Sequence, residues 1–444
     1  MEIIKFIYIK MNHLSIKSIC LILLLGMSVS ENYPYRSDFL WITVPDHRDW
    51  LYRVGEEAKI EVGFYLYGIP QDIEIDYEIG PDMLPSFSKG RATLEKGKTI
   101  ISIGTMERPG FLDLRLTAKI GNKSYPHHIK VGFSPELLMP YTINPLDFDE
   151  FWNETLETAR KTKLSYTIEK VDKYTTDEFD TFLLKIRTDN NHYVYGYLTK
   201  PKDASSEKKY PIVLCPPGAG IKTIKEPMRN TYYVKNGFIR LEMEIHGLHP
   251  EMTADQFAEI STAFGGENYY LENGIDNREN YYMKHVYVAC VRAMDYLTSL
   301  PEWDGVNAFV QGGSQGGALS IITAGLDKRV TACVVNHPAL SDMAGYLDGR
   351  AGGYPHFNNM NKMLTPEKVE TMAYYDVVNF AMRVECPVYM TWGYNDVTCP
   401  PTTSYIVWNL ITSQKESLIT PINEHWTTEE INYGQMEWLK KQIK

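Results

Sequence analysis

The sequence predicts an α/β protein with a mostly parallel, doubly wound sheet, preceded by a smaller domain made of strands alone. From residue 195 onward, short apolar runs alternate with amphipathic segments of helix length, such as 277–300 and 402–413. This alternation is typical of a parallel sheet with helices on both faces. Residues 31–141 instead alternate apolar and polar side chains, which is the period of a strand. We therefore assign 142–444 to a separate α/β domain.

The strand-only segment is predicted to be an immunoglobulin-like β-sandwich. Turn signals separate its alternating stretches, and it contains no cysteine, so an inter-sheet disulfide is excluded. The expected role is that of a spacer or a support for a lid. A carbohydrate-binding surface is the alternative, although the aromatic residues that would form it suit a sandwich core equally well: Trp41, Trp50, Tyr52 and Tyr67.

Residues 1–30 have the order of a signal peptide. Three lysines precede the apolar run 19–27, which is too short to span a bilayer, and small residues at 28–30 suit cleavage. Both Met1 and Met11 are open as the start of translation. We expect a periplasmic or secreted protein with no integral membrane segment after cleavage.

Composition and charge indicate which partners, disulfides and metals to expect. The 444 residues carry a formal net charge of −11, and no basic stripe is available to neutralise phosphates, which excludes nucleic acid. Of six cysteines, Cys20 lies in the N-terminal apolar run, and the odd number that remains implies no disulfide framework. His246 and His249 lack further residues at a metal-ligand spacing, so neither a metal nor a cofactor is expected.

The strongest functional signal is the stretch 312–317, Gly-Gly-Ser-Gln-Gly-Gly. It follows the apolar run 306–310 and precedes the helix-like 318–322, so a strand, a tight turn and a helix are predicted. Glycines let such a turn pass without a Cβ clash and expose the serine hydroxyl at the sheet edge. A glycine-rich helix cap is the alternative. The pattern predicts Ser314 as the nucleophile of a hydrolase.

His425 is the predicted base. Hydrolases with this turn place their catalytic residues in the chain order serine, acid, histidine, and only His425 of the eleven histidines follows every plausible acid. It ends a short strand predicted within 417–425, where a base can reach the serine from a rigid element.

Asp396 is the predicted acid, because it lies in the loop after the apolar strand 387–393. Its carboxylate would hold the imidazole tautomer and stabilise the imidazolium. The alternatives are a turn-forming role for Asp396, or an acid at Asp376 or Glu424. Asp376 precedes the strand, and Glu424 adjoins the base with little room to turn back on it.

From residue 145 onward the chain resembles the acetylxylan esterase and cephalosporin-C deacetylase family of α/β-hydrolases, carbohydrate esterase family seven. The resemblance extends over about three hundred residues and rests on segments in the family's order: 147–152, 196–198 before Pro201, 312–317, 374–381 ahead of 386–388, and 423–425. It implies an α/β-hydrolase fold and a serine esterase that removes acetyl groups from acetylated polysaccharides or oligosaccharides. Relatives can be oligomeric, which leaves a homo-oligomer open.

The resemblance also implies an oxyanion hole made of two backbone N–H groups. Gln315 follows the nucleophile and supplies the first. Ala219 supplies the second, in a loop where the family has His-Gly-Tyr, and each donor would stabilise the oxyanion by about 3 kcal/mol. Gly218 in the same loop is assigned to substrate binding. So is His246, where the family often has Arg-Gly-Gln.

The segment 341–371 interrupts the alternation of strands and helices and is rich in glycine, aromatic residues and methionine. Insertions at this place commonly shape substrate access, so we interpret it as a cap, with a surface loop as the alternative. Two other functions stay open at this stage. One is a serine esterase or peptidase of broader specificity. The other is a non-catalytic glycan-binding protein on a hydrolase scaffold.

The residue at position 219 predicts the size of the acyl group that the enzyme accepts. Ala219 stands where relatives carry a tyrosine, so room is expected for one or two extra methylenes, each worth about 0.8 kcal/mol when buried. We expect the wild type to accept propionyl aryl esters and Ala219→Tyr to restore a sharp acetyl preference, measured as the ratio of kcat/KM values. Equal rejection of propionyl esters by both proteins would show that another side chain closes the pocket.

Overall fold

The computed structural model describes residues 38–189, 192–266, 269–357 and 364–444. The predicted signal peptide, residues 1–30, lies outside the described residues, as does part of the predicted cap, 358–363. No helix within the described ranges is long and apolar enough to cross a membrane.

The N-terminal strands form two packed sheets. One sheet has the order β1-β3-β4 with β7 also paired to β3, and the other has the order β2-β9-β8-β5-β6. The apolar faces meet in one core, in which Trp41 and Tyr52 are buried, whereas Tyr67 is 69% exposed. The strands are β1 Phe39–Pro45, β2 Leu51–Tyr52, β3 Ala58–Leu66, β4 Ile69–Pro70, β5 Glu74–Pro81, β6 Ser88–Thr93, β7 Lys98–Gly104, β8 Gly110–Ile120 and β9 Lys123–Phe133.

The rest of the chain forms a nine-stranded sheet of order β10-β11-β12-β14-β13-β15-β16-β17-β18. In this order the pairs from β10 to β14 are antiparallel, and the pairs from β14 to β18 are parallel. The strands are β10 Ser165–Lys170, β11 Phe179–Arg187, β12 Tyr193–Pro201, β13 Tyr210–Cys215, β14 Ile239–Met243, β15 Trp303–Gly313, β16 Ala332–Asn336, β17 Val388–Trp392 and β18 Lys415–Ile419.

Helices cover both faces of this sheet. They are α1 Phe148–Lys161, α2 Tyr232–Lys235, α3 Ala254–Ala263, α4 Met283–Leu297, α5 Gln315–Leu326, α6 Pro366–Tyr375, α7 Val377–Ala381, α8 Pro401–Leu410 and α9 Glu429–Lys441. The interior strand β16 is buried along its whole length, as is α5 up to Gly325. Burial on both faces explains why these segments are continuously apolar rather than alternating.

The turn between β15 and α5 depends on glycines. Ser314 has φ 58° and ψ −125°, a left-handed region that non-glycine residues rarely adopt. A Cβ on Gly316 would lie 2.5 Å from the Pro216 carbonyl oxygen, and one on Gly317 would lie 2.7 Å from that of Asn336. The missing side chains therefore let the helix start pack directly onto the neighbouring loops.

A matched pair of glycine substitutions tests this packing. Gly316→Ala is expected to lower the free energy of unfolding by about 1–3 kcal/mol, because its Cβ meets rigid backbone. Gly434→Ala, on the exposed face of α9 with no atom within 4 Å of its Cβ, is expected to raise it by about 0.5–1 kcal/mol. Chemical denaturation measures both, and equal effects would contradict the packing argument.

Candidate active site

The carboxyl ends of adjacent parallel strands bring the candidate residues to one edge of the sheet. Ser314 follows β15, Asp396 follows β17, and His425 follows β18. The Nδ1 atom of His425 lies 2.7 Å from a carboxylate oxygen of Asp396. Ser314 and His425 both line one cavity of about 450 Å³.

Asp396 is fully buried and held in one orientation. Its second carboxylate oxygen accepts backbone N–H groups from Thr398 at 2.7 Å and Cys399 at 2.8 Å. Burial pushes the pKa of Asp396 upward, but the hydrogen bonds from His425 and the Cys399 N–H together hold that pKa below its usual range. The carboxylate is therefore ionised and directed at the imidazole.

The two alternative acids lie elsewhere. Asp376 is buried, and its carboxylate accepts backbone N–H groups from Asp342, Met343 and Val378. Burial and the nearby Asp342 raise the pKa of Asp376 to about 7. Its contacts cap α7 and hold the chain after β16. The Glu424 side chain is 59% exposed and lies 3.8 Å from His128 of the β-sandwich.

His337 is a neighbour of the base that the sequence argument missed. It follows β16 with φ 30°, and its ring centroid lies 4.3 Å from that of His425. Burial lowers the pKa of His337 to about 4, so its imidazole is neutral. Its position directly after a buried interior strand was the signal that could have identified it.

The two predicted oxyanion donors are the backbone N–H groups of Gln315 and Ala219. Gln315 begins α5, where backbone N–H groups lack helical partners. Neither its N–H nor that of Ala219 donates a hydrogen bond within the described ranges. Gly218 lines the cavity of Ser314.

Tyr270 ties together the two segments that carry these donors. Its hydroxyl accepts the Gly220 N–H at 3.1 Å and donates to the Gln315 side-chain oxygen at 2.6 Å. One buried phenol therefore fixes the loop of Ala219 relative to the start of α5.

His246, a predicted substrate-binding residue, packs among the aromatic residues Tyr270 and Tyr282. Its Nδ1 lies 2.8 Å from the Tyr282 hydroxyl, and its ring packs edge-on against Tyr270 at 4.7 Å. Burial lowers the pKa of His246 to about 4. His246 therefore supports Tyr270, whose hydroxyl bonds the Gly220 loop, and its role in substrate binding stays a prediction.

The β-sandwich reaches the acid loop. Lys130 of β9 is fully buried, and its Nζ lies 2.6 Å from the Asp396 carbonyl oxygen and 2.8 Å from an Asp82 carboxylate oxygen. Its backbone N–H donates to the Asn395 side chain, and Asp82 accepts the Thr402 hydroxyl at 2.7 Å. All the predicted catalytic groups lie in the α/β domain, yet the strand-only domain holds the backbone of one of them, so it is more than a spacer.

The described part of the predicted cap also contacts the acid loop. The His356 Nε2 lies 2.9 Å from the Thr398 carbonyl oxygen. Arg108 of the β-sandwich donates to the carbonyl oxygens of Asp348 and Gly349. The segment 341–357 is thus packed between the two domains rather than free on the surface.

Among the residues that the structure describes, two groups of side chains could hold a metal ion, each with ligand atoms within 4.8 Å of one another: Asp189, His192 and His285, and His337, Asp396 and His425. In the second group the Asp396 carboxylate already bonds His425. The absence of a metal in catalysis stays a prediction. The five cysteines within the described ranges are free and buried.

Comparisons with known proteins address the family. A family model described as "Acetyl xylan esterase (AXE1)" matches residues 137–442. The acetyl esterase Axe7A of Xylanibacter ruminicola is 71% identical over 420 residues, which cover 95% of this chain and 94% of that protein.

Solved structures address the fold. The acetyl xylan esterase from Paenibacillus sp. R4 has a TM-score of 0.61 and 22% identity, and that from Thermoanaerobacterium sp. has a TM-score of 0.60 and 23% identity. Each covers 70% of this chain and 98% of its own. The predicted fold, an α/β-hydrolase domain preceded by a β-sandwich, is confirmed.

The buried ion pair between Lys130 and Asp82 can be tested by substitution. Lys130→Met leaves Asp82 charged and unpaired, so the free energy of unfolding is expected to fall by about 3–5 kcal/mol. It also removes the donor to the Asp396 carbonyl, and kcat for ester hydrolysis is expected to fall about tenfold, the equivalent of about 1.4 kcal/mol.

The double variant Lys130→Met/Asp82→Asn separates stability from positioning. The neutral amide still accepts from Thr402, so most of the stability should return, whereas kcat should stay low. Full recovery of kcat together with stability would assign Lys130 a purely structural role.

Proposed function

The chain belongs to the acetyl xylan esterase family, and from that premise we propose that this esterase removes O-acetyl groups from plant polysaccharides or oligosaccharides, acetylated xylan among them. The observation that carries the proposal is the 2.7 Å contact between His425 and the buried Asp396, at the edge of the sheet where Ser314 occupies a left-handed turn. The family favours an esterase over a peptidase or a non-catalytic glycan-binding protein.

The proposed reaction passes through an acetyl-enzyme. The Ser314 hydroxyl attacks the acetyl carbonyl carbon while His425 takes its proton, and Asp396 stabilises the imidazolium. The N–H groups of Gln315 and Ala219 bind the oxyanion that forms. His425 then gives the proton to the sugar oxygen, which leaves as a hydroxyl.

Water completes the cycle. His425 takes a proton from a water molecule, whose oxygen attacks the acetyl carbon on Ser314. The tetrahedral species collapses, the serine oxygen recovers the proton, and acetate leaves. No bond changes at a carbon of the sugar, so the glycan keeps its stereochemistry.

We also propose that the protein acts in the periplasm or outside the cell. The charged and then apolar order of residues 1–30 supports export. A polymeric substrate such as xylan is consistent with that location.

The nucleophile is tested by Ser314→Ala. Acetate release from acetylated xylan and from an aryl acetate is expected to fall by several orders of magnitude, because the attacking oxygen is lost, with an unchanged circular-dichroism spectrum. Asp396→Asn should lower the rate by about 10⁴-fold by presenting the wrong histidine tautomer, and Asp376→Asn should do much less. Retention of more than about a tenth of the rate by Ser314→Ala would remove the assignment.

A further inference from the structure

A groove leads from the nucleophile to the protein surface between α2 and α9. Two cavities of about 450 and 520 Å³ lie along it, and the inner one contains Ser314 and His425. Both volumes are typical of cavities that hold ligands. The two cavities adjoin, because they share five lining residues: Arg229, Asn230, Tyr232, Thr427 and Asn432.

Aromatic side chains stand along this groove. Trp426 directly follows the base, lines the inner cavity and is 48% exposed. Tyr433 lines the outer cavity, is 47% exposed and lies 6.0 Å from the Tyr232 ring. Exposed rings of this size offer flat apolar area at little loss of side-chain entropy, and the C–H faces of a sugar ring pack on such surfaces.

Polar groups without partners accompany the aromatic rings. The side-chain amide of Asn230 makes no hydrogen bond within the described ranges, and Asn432 uses only its oxygen, which accepts the Thr427 hydroxyl at 2.9 Å. Both residues therefore have amide N–H donors available for hydroxyl groups of a ligand.

The charges of the groove disfavour an anionic ligand. Glu429 and Glu430 line its outer part with Arg229, and the inner Arg240 is already paired with Glu242 at 2.8 Å. Acidic side chains thus outnumber basic ones in the outer cavity, in a protein of net charge −11. A glycan of uronic acids would be repelled, whereas a neutral sugar chain would not.

The groove lies where the sugar of the substrate must lie during the reaction. In acyl transfer the leaving oxygen must lie beside the base that protonates it, so the sugar that loses its acetyl group lies next to His425. The groove begins there, at Trp426. We propose that the groove between α2 and α9 binds the neutral sugar chain that carries the acetyl ester, with Trp426 and Tyr433 as stacking platforms; this inference rests on the proposed function.

The test compares a long substrate with a short one. For Tyr433→Ala and Trp426→Ala, kcat/KM is measured for acetylated xylo-oligosaccharides and for an aryl acetate, which is too short to reach the outer groove. The ratio of the two constants is expected to fall about tenfold or more in each variant. Tyr433→Phe keeps the ring and should return the ratio toward the wild-type value. Phe87→Ala, an exposed aromatic residue of the β-sandwich, is the matched control, with a ratio within about twofold of the wild type.

A binding measurement tests the groove without any ester hydrolysis. In the Ser314→Ala background, calorimetry with unacetylated xylopentaose should show binding that Tyr433→Ala weakens about tenfold, and binding of tetragalacturonate should be weaker than that of xylopentaose. If the wild type hydrolyses no acetyl ester, the proposed function is wrong, and the binding measurement alone then tests whether the groove binds a sugar chain. Unchanged ratios and unchanged xylopentaose binding in both alanine variants, or tighter binding of the uronate, would overturn the proposal.

Discussion

The left-handed backbone of Ser314 is the constraint on which the site depends. A serine at φ 58° between a buried strand and a buried helix persists only because the surrounding packing fixes it, and strain of this kind costs of order 1–3 kcal/mol. The glycines around it let the Pro216 loop and the end of β16 approach the first turn of α5. That approach brings the loop of Ala219 beside Gln315, and it places the positive end of the helix dipole at the predicted oxyanion site. Tyr270 then holds the two donor segments together with two hydrogen bonds.

The predicted acid, Asp396, is positioned by a second set of contacts that crosses the domain boundary. Lys130 and Asp82, both on the β-sandwich, are buried against the loop that carries Asp396. A buried ion pair is weak evidence for net stability, since desolvation offsets much of the attraction. Its geometric effect is clearer, because an ammonium group held by Asp82 fixes one carbonyl oxygen of that loop. The strand-only domain therefore contributes to the site although it supplies none of the predicted reacting groups.

Residues whose roles follow from local pattern and chain order were accessible from the sequence. The turn around Ser314 is a local signal, and the order serine, acid, histidine selected Asp396 and His425, which the structure brings into hydrogen-bonding contact. Lys130 and Tyr270 were not accessible, because their roles come from contacts across many residues of sequence. The contacts of His246 were not accessible for a related reason: its place in the chain does not reveal that its ring is directed into Tyr270 and Tyr282.

The central claim is that Ser314 is an activated nucleophile whose base is His425. A fluorophosphonate reacts with such a serine to form a stable phosphonyl ester, and peptide mapping by mass spectrometry locates the adduct. We predict one adduct, on the peptide that contains Ser314, and a labelling rate that falls by at least about a hundredfold in His425→Ala, the lower end of what a general base contributes. Labelling at another residue, or an undiminished rate in His425→Ala, would contradict the account.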